Sequence, residues 1–282
     1  DLLAESYFGK SGLGRTVLGT SENVDRFTKE DILSYMDKYY VPENVVVSIA
    51  GNITFSEAEK ICDEFFASQF KRTAPPAPHF EQKSVYTGSL VKVKDIEQAH
   101  IGLCMPSYRL GSKMSVAVRI LNTVFGGGMS SRMFQRIREE LGMAYTIYTY
   151  PGAYNGIGCL NLYVGTNPEN GETVIQEIRE QLRKWKTEPM SEKEFLSAKA
   201  QLRSGYVMGL ESSSGRMQSL GRGLLLQNEL RSPEEVLAKI EAVTPERVMA
   251  VAEKFLDSVP AAAVVGQNAK TYLQWMGESK LG

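Results

Sequence analysis

Arg138 and Tyr145 are the two residues whose types and spacing best suit chemistry on a carbonyl group. Arg138 lies near the end of a predicted helix, and Tyr145 lies seven positions later, at the start of the strand that follows Gly142. Such a spacing can bring a guanidinium and a phenol to one edge of a sheet. Both groups donate hydrogen bonds, so they could hold a carbonyl and stabilise negative charge on its oxygen. A solvated arginine beside a half-buried tyrosine is the ordinary alternative.

A glycine triplet, Gly126-Gly127-Gly128, comes shortly before Ser131, which opens the helix carrying Arg138. Glycines before a helix can cradle a phosphate. However, the chain has neither a G-x-x-x-x-G-K-[ST] motif nor a strand-G-x-G-x-x-G-helix unit, and the triplet follows a predicted helix. The pattern therefore favours the end of one helix and a flexible loop over a nucleotide site.

Potential metal ligands are few and scattered. The two histidines are His79 and His100, and the three cysteines, Cys62, Cys104 and Cys159, contain no C-x-x-C pair. Because no cluster has metal-ligand spacing, the sequence excludes a zinc site built from this chain alone. We predict that His100, Cys104 and Cys159 are structural residues among strand neighbours. An odd, sparse set of cysteines also favours a reducing compartment, hence a cytoplasmic location.

Composition and charge exclude two classes of partner. The net charge of -1, with no stripe of lysine and arginine, gives no footprint for nucleic acid. No apolar run approaches the ~20 residues that span a bilayer, so no membrane contact is expected. A length of 282 residues suits one large or two ordinary domains. The first residue is Asp1, without a signal-peptide pattern, and we expect the chain to come from a longer protein.

One segment of the chain occurs twice. Residues Val24 to Tyr40 read VDRFTKEDILSYMDKYY, and residues Ile240 to Leu256, 216 positions later, read IEAVTPERVMAVAEKFL. Both copies lead into a short apolar strand that ends in glycine and amide residues, VVVSIAGN and AAAVVGQN. Capped helices followed by strands can look alike by chance, but the shared order and the glycine end favour duplication.

The repeat predicts two tandem domains, of which the first lacks its front part. We place the C-terminal part of the first domain in residues 1–70 and the second domain in residues 85–282. Between them, residues 71–84 form a linker, because three of the five residues in Ala74-Pro75-Pro76-Ala77-Pro78 are prolines that stiffen the backbone.

Periodicity and turn residues predict an α+β architecture, in which each domain is a mixed, mostly antiparallel sheet with helices packed on one face. Asn155-Gly156 predicts a hairpin with positive φ at both positions. Helices are predicted over residues 2–8, from Thr28 to Pro42, over 56–66, 114–125, from Ser131, and over 172–186, 191–206, 212–226 and from Ser232. Strands are predicted over residues 44–50, 89–94, 99–105, 145–153, 157–165 and 261–265.

Two stretches of the chain resemble one family, the zinc metallopeptidases typified by pitrilysin, insulin-degrading enzyme and mitochondrial processing peptidase. The glycine-rich loop, helix and strand of their second domain are similar to residues 126–150, GGGMSSRMFQRIREELGMAYTIYTY. The latter part of their first domain, in the bacterial, processing-peptidase-like branch, is similar to residues 12–52, GLGRTVLGTSENVDRFTKEDILSYMDKYYVPENVVVSIAGN. The resemblance covers essentially the whole chain in the right order.

The resemblance implies a zinc site formed by a His-x-x-Glu-His helix and a downstream glutamate in the first domain. This chain has no His-x-x-Glu-His, so zinc is expected in the missing front part and no metal ligand is assigned here. By resemblance, Arg138 binds the peptide backbone, and Tyr145 acts catalytically by donating to the scissile carbonyl oxygen. The loop would border the same chamber and contact substrate through Gly126, Gly127, Gly128, Ser130 and Ser131.

We therefore expect this chain to be the C-terminal portion of a zinc-dependent metalloendopeptidase that hydrolyses peptides in an enclosed chamber. In the full protein, a zinc-bound water would attack the peptide with a first-domain glutamate as base. The alternative is a non-catalytic partner or scaffold subunit of the same family. A small-molecule enzyme is a third possibility, although the sequence shows no polar pocket of titratable groups. The expected partners are a peptide or unfolded polypeptide and a second subunit, in a homodimer or a heterodimer with a related chain.

Overall fold

The computed structural model of the chain describes residues 1–10, 12–67 and 85–275. They belong to two compact units. The first comprises Asp1–Leu18, Phe80–Leu202 and Lys239–Gly282, and the second comprises Gly19–His79 and Arg203–Ala238. These units reflect packing, whereas the predicted boundaries at 1–70 and 85–282 reflect homology and stay a prediction. The predicted linker at 71–84 lies outside the described residues, as does His79.

The helices and strands follow in a simple order along the chain. They are α1 (Leu2–Phe8), α2 (Ser21–Arg26), α3 (Lys29–Tyr39), α4 (Phe55–Phe65), β1 (Ser89–Val93), β2 (Ala99–Ser107), α5 (Ser115–Phe125), a π-helix (Phe134–Glu140), β3 (Ala144–Ala153), β4 (Gly158–Thr166), α6 (Gly171–Thr187), α7 (Glu192–Gly209), α8 (Ser213–Gln227), α9 (Pro233–Glu241), α10 (Pro245–Leu256) and β5 (Ala261–Gly266). Short 3-10 turns lie at Gly12–Gly14, Pro42–Asn44, Pro168–Asn170 and Ala269–Trp275.

The first unit contains a five-stranded sheet in the order β1-β5-β2-β4-β3. β1 pairs in parallel with β5, while the β5–β2, β2–β4 and β4–β3 pairs are antiparallel. The predicted α+β class with a mixed, mostly antiparallel sheet is confirmed. β3 forms one edge of this sheet, and it is the strand that carries Tyr145.

The two faces of the sheet are covered differently, because side chains alternate along each strand. On β2, Ile101, Leu103 and Met105 belong to the main core, which α5, α6 and α10 complete. Cys104 points the other way, into a smaller cluster with Tyr7 of α1. Helices therefore cover one face as predicted, and α1 covers part of the other. Cys104 is buried, as predicted.

Local signals placed most helix boundaries correctly. Thr28 caps α3 in a reciprocal box, because its Oγ1 accepts from Asp31 N at 3.2 Å and Asp31 Oδ2 accepts from Thr28 N at 3.0 Å. α3 then ends before Pro42, which cannot continue helical bonding. Helical spacing predicts one inward stripe on α6, formed by Val174, Ile178, Leu182 and Trp185. All four side chains are buried, which confirms it.

The hairpin between β3 and β4 forms as predicted, but its backbone differs. The connecting residues run from Tyr154 to Ile157, and Tyr154 N donates to Ile157 O at 2.8 Å. Only Gly156 takes a positive φ, at 86°, so the prediction of positive φ at Asn155 was wrong. A type I′ turn needs a positive φ at both central positions, whereas this turn has it at Gly156 alone.

The second unit contradicts two predictions. In its described residues no strand forms, so the predicted strand from Asn44 to Ala50 is wrong in this structure. A strand needs a neighbour to satisfy its backbone groups. Helical spacing also predicts an inward face on α4 formed by Ala58, Ile61, Phe65 and Phe66. That prediction is wrong, since α4 has no buried residue and Phe65 is 60% exposed. Within this unit, Ser48 Oγ instead donates to Met217 O of α8 at 2.9 Å.

Candidate functional site

Tyr145 occupies a β-bulge at the start of β3. Ala144 lies opposite Thr166 of β4, and the next paired residue, Thr146, lies opposite Gly165, so Tyr145 has no cross-strand partner of its own. A bulge redirects side chains and is over-represented beside active sites. The Tyr145 side chain is 60% exposed, which leaves its hydroxyl open to a ligand.

Arg138 lies on a π-helix rather than on the α-helix that the sequence predicted from Ser131. Ile137, the preceding residue, is fully buried in the core, which holds this turn of helix against the sheet. Single π turns are rare and occur frequently at functional sites. The Arg138 guanidinium carbon lies 4.9 Å from the ring centre of Phe134, and its Nε lies 3.9 Å from Glu139 Oε1.

Arg132, at the start of the same segment, is locked in place. Its Nε and Nη2 donate to the two carboxylate oxygens of Glu194 at 2.6 and 2.8 Å, and its guanidinium lies 4.8 Å from the Trp185 ring centre. This bidentate bond lowers the pKa of Glu194 to about 2, and hydrogen bonds from Ser191 assist. Arg132 therefore anchors the segment to the first turn of α7.

Arg136 is also occupied by structural partners. Its Nε donates to Glu177 Oε1 and its Nη1 donates to Glu140 Oε2, each at 2.9 Å. These bonds raise the pKa of the Arg136 guanidinium above its ordinary value. Of the three arginines on this segment, Arg138 has the weakest carboxylate contact, and its side chain is 44% exposed. Arg138 is thus the arginine best placed to take a ligand.

The turn between the π-helix and β3 has a defined geometry. Gly142 takes a φ of +63°, which side chains of L-residues rarely adopt. Met143 N donates to Ile137 O at 3.0 Å, which closes the turn. Arg138 and Tyr145 therefore project from two elements held by one short connection. No hydrogen bond joins them within the described part of the chain, so a ligand would have to bridge them.

The glycine-rich loop and the end of α5 are hydrogen-bonded to β3. Thr149 N donates to Gly126 O at 2.9 Å, and Thr149 Oγ1 donates to Asn122 Oδ1 at 2.9 Å. A Cβ at Gly126 would lie 2.6 Å from Thr149 Cγ2, and one at Gly127 would lie 2.5 Å from Asn122 Nδ2. Both glycines are required by close packing. A Cβ at Gly128 would meet nothing nearer than 3.9 Å, so that position is open.

The two serines of the loop differ in environment. Ser131 is fully buried, and its hydroxyl donates to Gly128 O at 2.6 Å, so in this structure it shapes the loop and does not face a ligand. Ser130 is exposed, as is Gly127. The predicted substrate contacts of the loop stay a prediction, and they can be made only by its exposed positions.

A row of aromatic rings on the open sheet face escaped the sequence prediction. Tyr148 of β3 and Tyr163 of β4 are paired, with ring centres 5.2 Å apart, and His100 of β2 stacks on Tyr163 at 6.0 Å. His100 Nδ1 and the Tyr163 hydroxyl are hydrogen-bonded at 2.7 Å, which agrees with a structural histidine. The alternation of tyrosine in TIYTY was the available signal, since i and i+2 share a face.

The described residues do not fit a metal ion. They contain no group of three or more His, Cys, Asp or Glu side chains that could hold one. In the same residues, no helix has the length and apolarity needed to cross a membrane. The site therefore offers hydrogen-bond donors, a guanidinium and aromatic surface, which suit binding of a polar, extended ligand.

The fold and the sequence match define the class of protein to which the chain belongs. Residues 26–202 match the family described as the peptidase M16 inactive domain, and the chain is a member of the peptidase M16 family. The family predicted from residues 12–52 and 126–150 is thereby confirmed.

Two curated relatives are similar over nearly the whole chain. A protein of Bacillus subtilis named "uncharacterized zinc protease YmxG" is 32% identical over 94% of this chain and 64% of its own length. A protein of Streptomyces coelicolor named "uncharacterized zinc protease SCO5738" is 34% identical over 94% of this chain and 59% of its own length. The chain thus spans less than two thirds of either relative.

Solved structures share the fold at low identity. A peptidase M16 inactive domain from Pseudomonas fluorescens superposes with a TM-score of 0.83 at 20% identity, over 94% of this chain and 63% of that one. A chain in the complex III structure from Candida albicans gives a TM-score of 0.77 at 17% identity, over 98% of this chain and 69% of that one. At these identities the likeness shows the fold alone.

Proposed function

We propose that this chain is the substrate-gripping portion of a zinc-dependent metalloendopeptidase that hydrolyses peptides or unfolded polypeptides. The observation behind this proposal is that Arg138 and Tyr145 lie on either side of one short turn. The Arg138 side chain is 44% exposed, and Tyr145, in a β-bulge, is 60% exposed. The names of the two curated relatives support a zinc protease. Since the described residues hold no metal cluster, we assign the zinc to a part of the protein outside this chain.

In this proposal each of the two residues has one task on the substrate. The Arg138 guanidinium donates to a backbone carbonyl and orients the peptide. The Tyr145 hydroxyl donates to the scissile carbonyl oxygen, where negative charge develops during cleavage. Donors fixed before the reaction stabilise such charge without reorganising, and removing one costs about 3 kcal/mol, or about 100-fold in rate.

The bulge and the anchored helix explain why these donors would be fixed. Arg132 and Arg136 hold the π-helix through Glu194 and Glu177, while Gly142 sets the turn into β3. Only the ends of the Arg138 and Tyr145 side chains remain to be ordered by the substrate. The glycine-rich loop would border the same substrate through the exposed Gly127 and Ser130 and the partly exposed Gly128.

The test uses a longer protein that contains this chain together with the part that its relatives have outside the match, and an unstructured fluorogenic peptide as substrate. Tyr145→Phe should lower kcat/KM about 100-fold with zinc content unchanged. Arg138→Ala should raise KM more than it lowers kcat. Tyr86→Phe and Arg109→Ala, at exposed positions of the first unit outside this turn, are the matched controls and should match the wild type. Turnover by Tyr145→Phe within twofold of the wild type would reject the proposal.

The second candidate is a non-catalytic partner or scaffold. Two observations favour it: the matched family is described as an inactive domain, and the chain has the fold of a subunit in complex III. On this alternative, the longer wild-type protein binds the peptide without cleaving it, and Arg138→Ala weakens that binding. We further propose a cytoplasmic location. We also propose a dimer with a like or related subunit, and gel filtration of the longer protein can test the dimer.

A further inference from the structure

Two of the three cysteines meet beneath α1, on the face of the sheet opposite the main core. Cys104 of β2 and Cys159 of β4 are each 1% exposed, and they belong to one buried cluster with Tyr7 of α1. Residue type and strand context predict only structural roles for these two cysteines. They are far apart in the sequence, so it is the register of the strands that brings them together.

The pairing of β2 with β4 makes the two thiols diagonal neighbours. Cys104 lies opposite Asn161, and Cys159 lies opposite Pro106. Both cysteines therefore stand on the same face of the sheet, on adjacent strands. The Cys104 thiol is hydrogen-bonded to Cys159, which shows that the two side chains turn toward each other. The fold thus places two sulfur atoms side by side in a buried pocket of the sheet face.

The two thiols have different surroundings, and those of Cys159 favour the thiolate. Cys159 Sγ accepts hydrogen bonds from the Cys104 thiol, from Asn161 Nδ2 at 3.4 Å and from the backbone N–H of Gly152. These donors, the Cys104 thiol foremost, lower the pKa of Cys159 in spite of its burial, whereas burial raises the pKa of Cys104. Because the thiolate is the reactive form of cysteine, Cys159 is the nucleophile of the pair and Cys104 is the proton donor.

The cover over Cys159 is thin. A Cβ at Gly152 would lie 2.7 Å from Cys159 Sγ, so the backbone of Gly152 sits directly against the sulfur, and Gly152 is itself partly exposed. Gly152 lies near the end of β3, which is the edge strand beside β4. Strand ends open locally at a lower free energy than the core of a sheet. A small uncharged molecule can therefore reach the sulfur at this end of β3, while larger reagents are excluded.

We propose that Cys104 and Cys159 form a redox-active dithiol, which hydrogen peroxide converts into a disulfide that links β2 to β4. The Cys159 thiolate attacks one peroxide oxygen, the O–O bond breaks, and the departing hydroxide takes the proton that Cys159 had released and leaves as water. Cys104 then attacks the Cys159 sulfenic acid: the S–S bond forms, the S–O bond breaks, and the hydroxyl leaves with the Cys104 proton as a second water. The two thiols lose two electrons, and the peroxide gains them.

The disulfide should open again in the presence of a thiol reductant. Diagonal neighbours on two strands are farther apart than a directly opposed pair, so the bond would depart from the geometry that disulfides prefer. Disulfides of this kind are reduced more easily than ideal ones. The reaction involves neither zinc nor the Arg138–Tyr145 site, so it does not rest on the proposed peptidase function.

Peptide mapping after peroxide treatment tests the pair. The protein is reduced, freed of reductant and treated with hydrogen peroxide in its native state, and it is then unfolded, alkylated and digested. Mass spectrometry should find Cys104 linked to Cys159, and dithiothreitol should restore both thiols. In a sample that is unfolded in urea before oxidation, Cys62 should also enter linkages, because the unfolded chain fixes no pairing. Native oxidation confined to Cys62, or native linkages that match the urea mixture, would overturn the proposal.

Alanine variants assign the two roles. In Cys104→Ala, Cys159 should accumulate as a sulfenic acid that dimedone traps, because the partner thiol is gone. In Cys159→Ala, dimedone labelling of Cys104 should be at least about 10-fold lower. Cys62→Ala is the matched control and should form the disulfide as the wild type does. Equal labelling of Cys104 and Cys159 would reject these roles. Circular dichroism checks the fold of each variant, and if an alanine variant does not fold, the wild-type mapping decides.

Discussion

Replacing Glu194 by glutamine removes the negative charge that holds Arg132 to the first turn of α7. The carboxylate accepts from Arg132 at 2.6 and 2.8 Å and from Ser191 N at 2.8 Å. Glutamine can still close the capping box with Ser191. The substitution therefore isolates the ion pair, which fixes the start of the segment that carries Arg138.

The magnitude follows from the pKa of Glu194, which falls from an ordinary value of 4.5 to about 2. At 1.36 kcal/mol for each pKa unit, the full difference corresponds to about 3 kcal/mol. The side chain of Glu194 is 31% exposed and that of Arg132 is 21% exposed, so solvent screens the pair. We expect Glu194→Gln to reduce the free energy of unfolding by about 1 to 2 kcal/mol at pH 7.

The same pKa fixes the direction of the pH dependence. Because the folded-state pKa is below the unfolded one, the contribution is fully present above pH 4.5 and is lost as the pH falls toward 2. Urea unfolding can be followed by tryptophan fluorescence, since Trp185 lies beneath the Arg132 guanidinium. The wild type and Glu194→Gln should differ at pH 7 and converge near pH 2.

Glu192→Gln is the matched control, because Glu192 lies in the same first turn of α7 and is exposed. It changes the same charge near the same helix end, so it measures the helix-dipole effect alone, about 0.3 to 1 kcal/mol. If Glu194→Gln costs no more than Glu192→Gln, or if its effect does not shrink between pH 4.5 and 2, the assignment of Arg132 as an anchor is wrong.

Two further predictions concern the loop and the cysteines. Gly126→Ala should lower the thermal midpoint of unfolding by several degrees, since the new Cβ would lie 2.6 Å from Thr149. Gly128→Ala, at an open position, should leave the midpoint unchanged. Equal midpoints for the two variants would contradict the close packing at Gly126. Cys62 should react with a thiol-alkylating reagent before the two buried cysteines, because Cys62 is partly exposed and burial raises the pKa of Cys104. Peptide mapping by mass spectrometry can show the order of labelling, and early labelling of Cys104 would contradict its burial.

Sequence patterns predicted the elements whose causes are local. The capping box of Thr28, the stop at Pro42 and the buried stripe of α6 depend on residues within a few positions of one another. The mixed sheet also followed from the order of strand and helix patterns. The positions of Arg138 and Tyr145 on adjoining elements were predicted in the same way, from their sequence spacing.

Details of the candidate site depended on contacts between distant residues. The sequence has three similar arginines between residues 132 and 138, and only their partners on α6 and α7 distinguish Arg138 from the other two. The bulge at Tyr145 depends on the register with β4, and the burial of Ser131 depends on the path of the glycine-rich loop. No local pattern in the sequence contains this information.

The sequence by itself determined the family, the helix ends and the apolar residues of each element, because these depend on residue type and on spacing along one segment. Only the tertiary structure decided which of those apolar residues are buried. Val248 and Ile32 occupy equivalent positions in the repeat, yet one is fully buried and the other is 56% exposed. The physical reason is that burial requires a second surface, and residues 45–50 likewise form a strand only beside other strands.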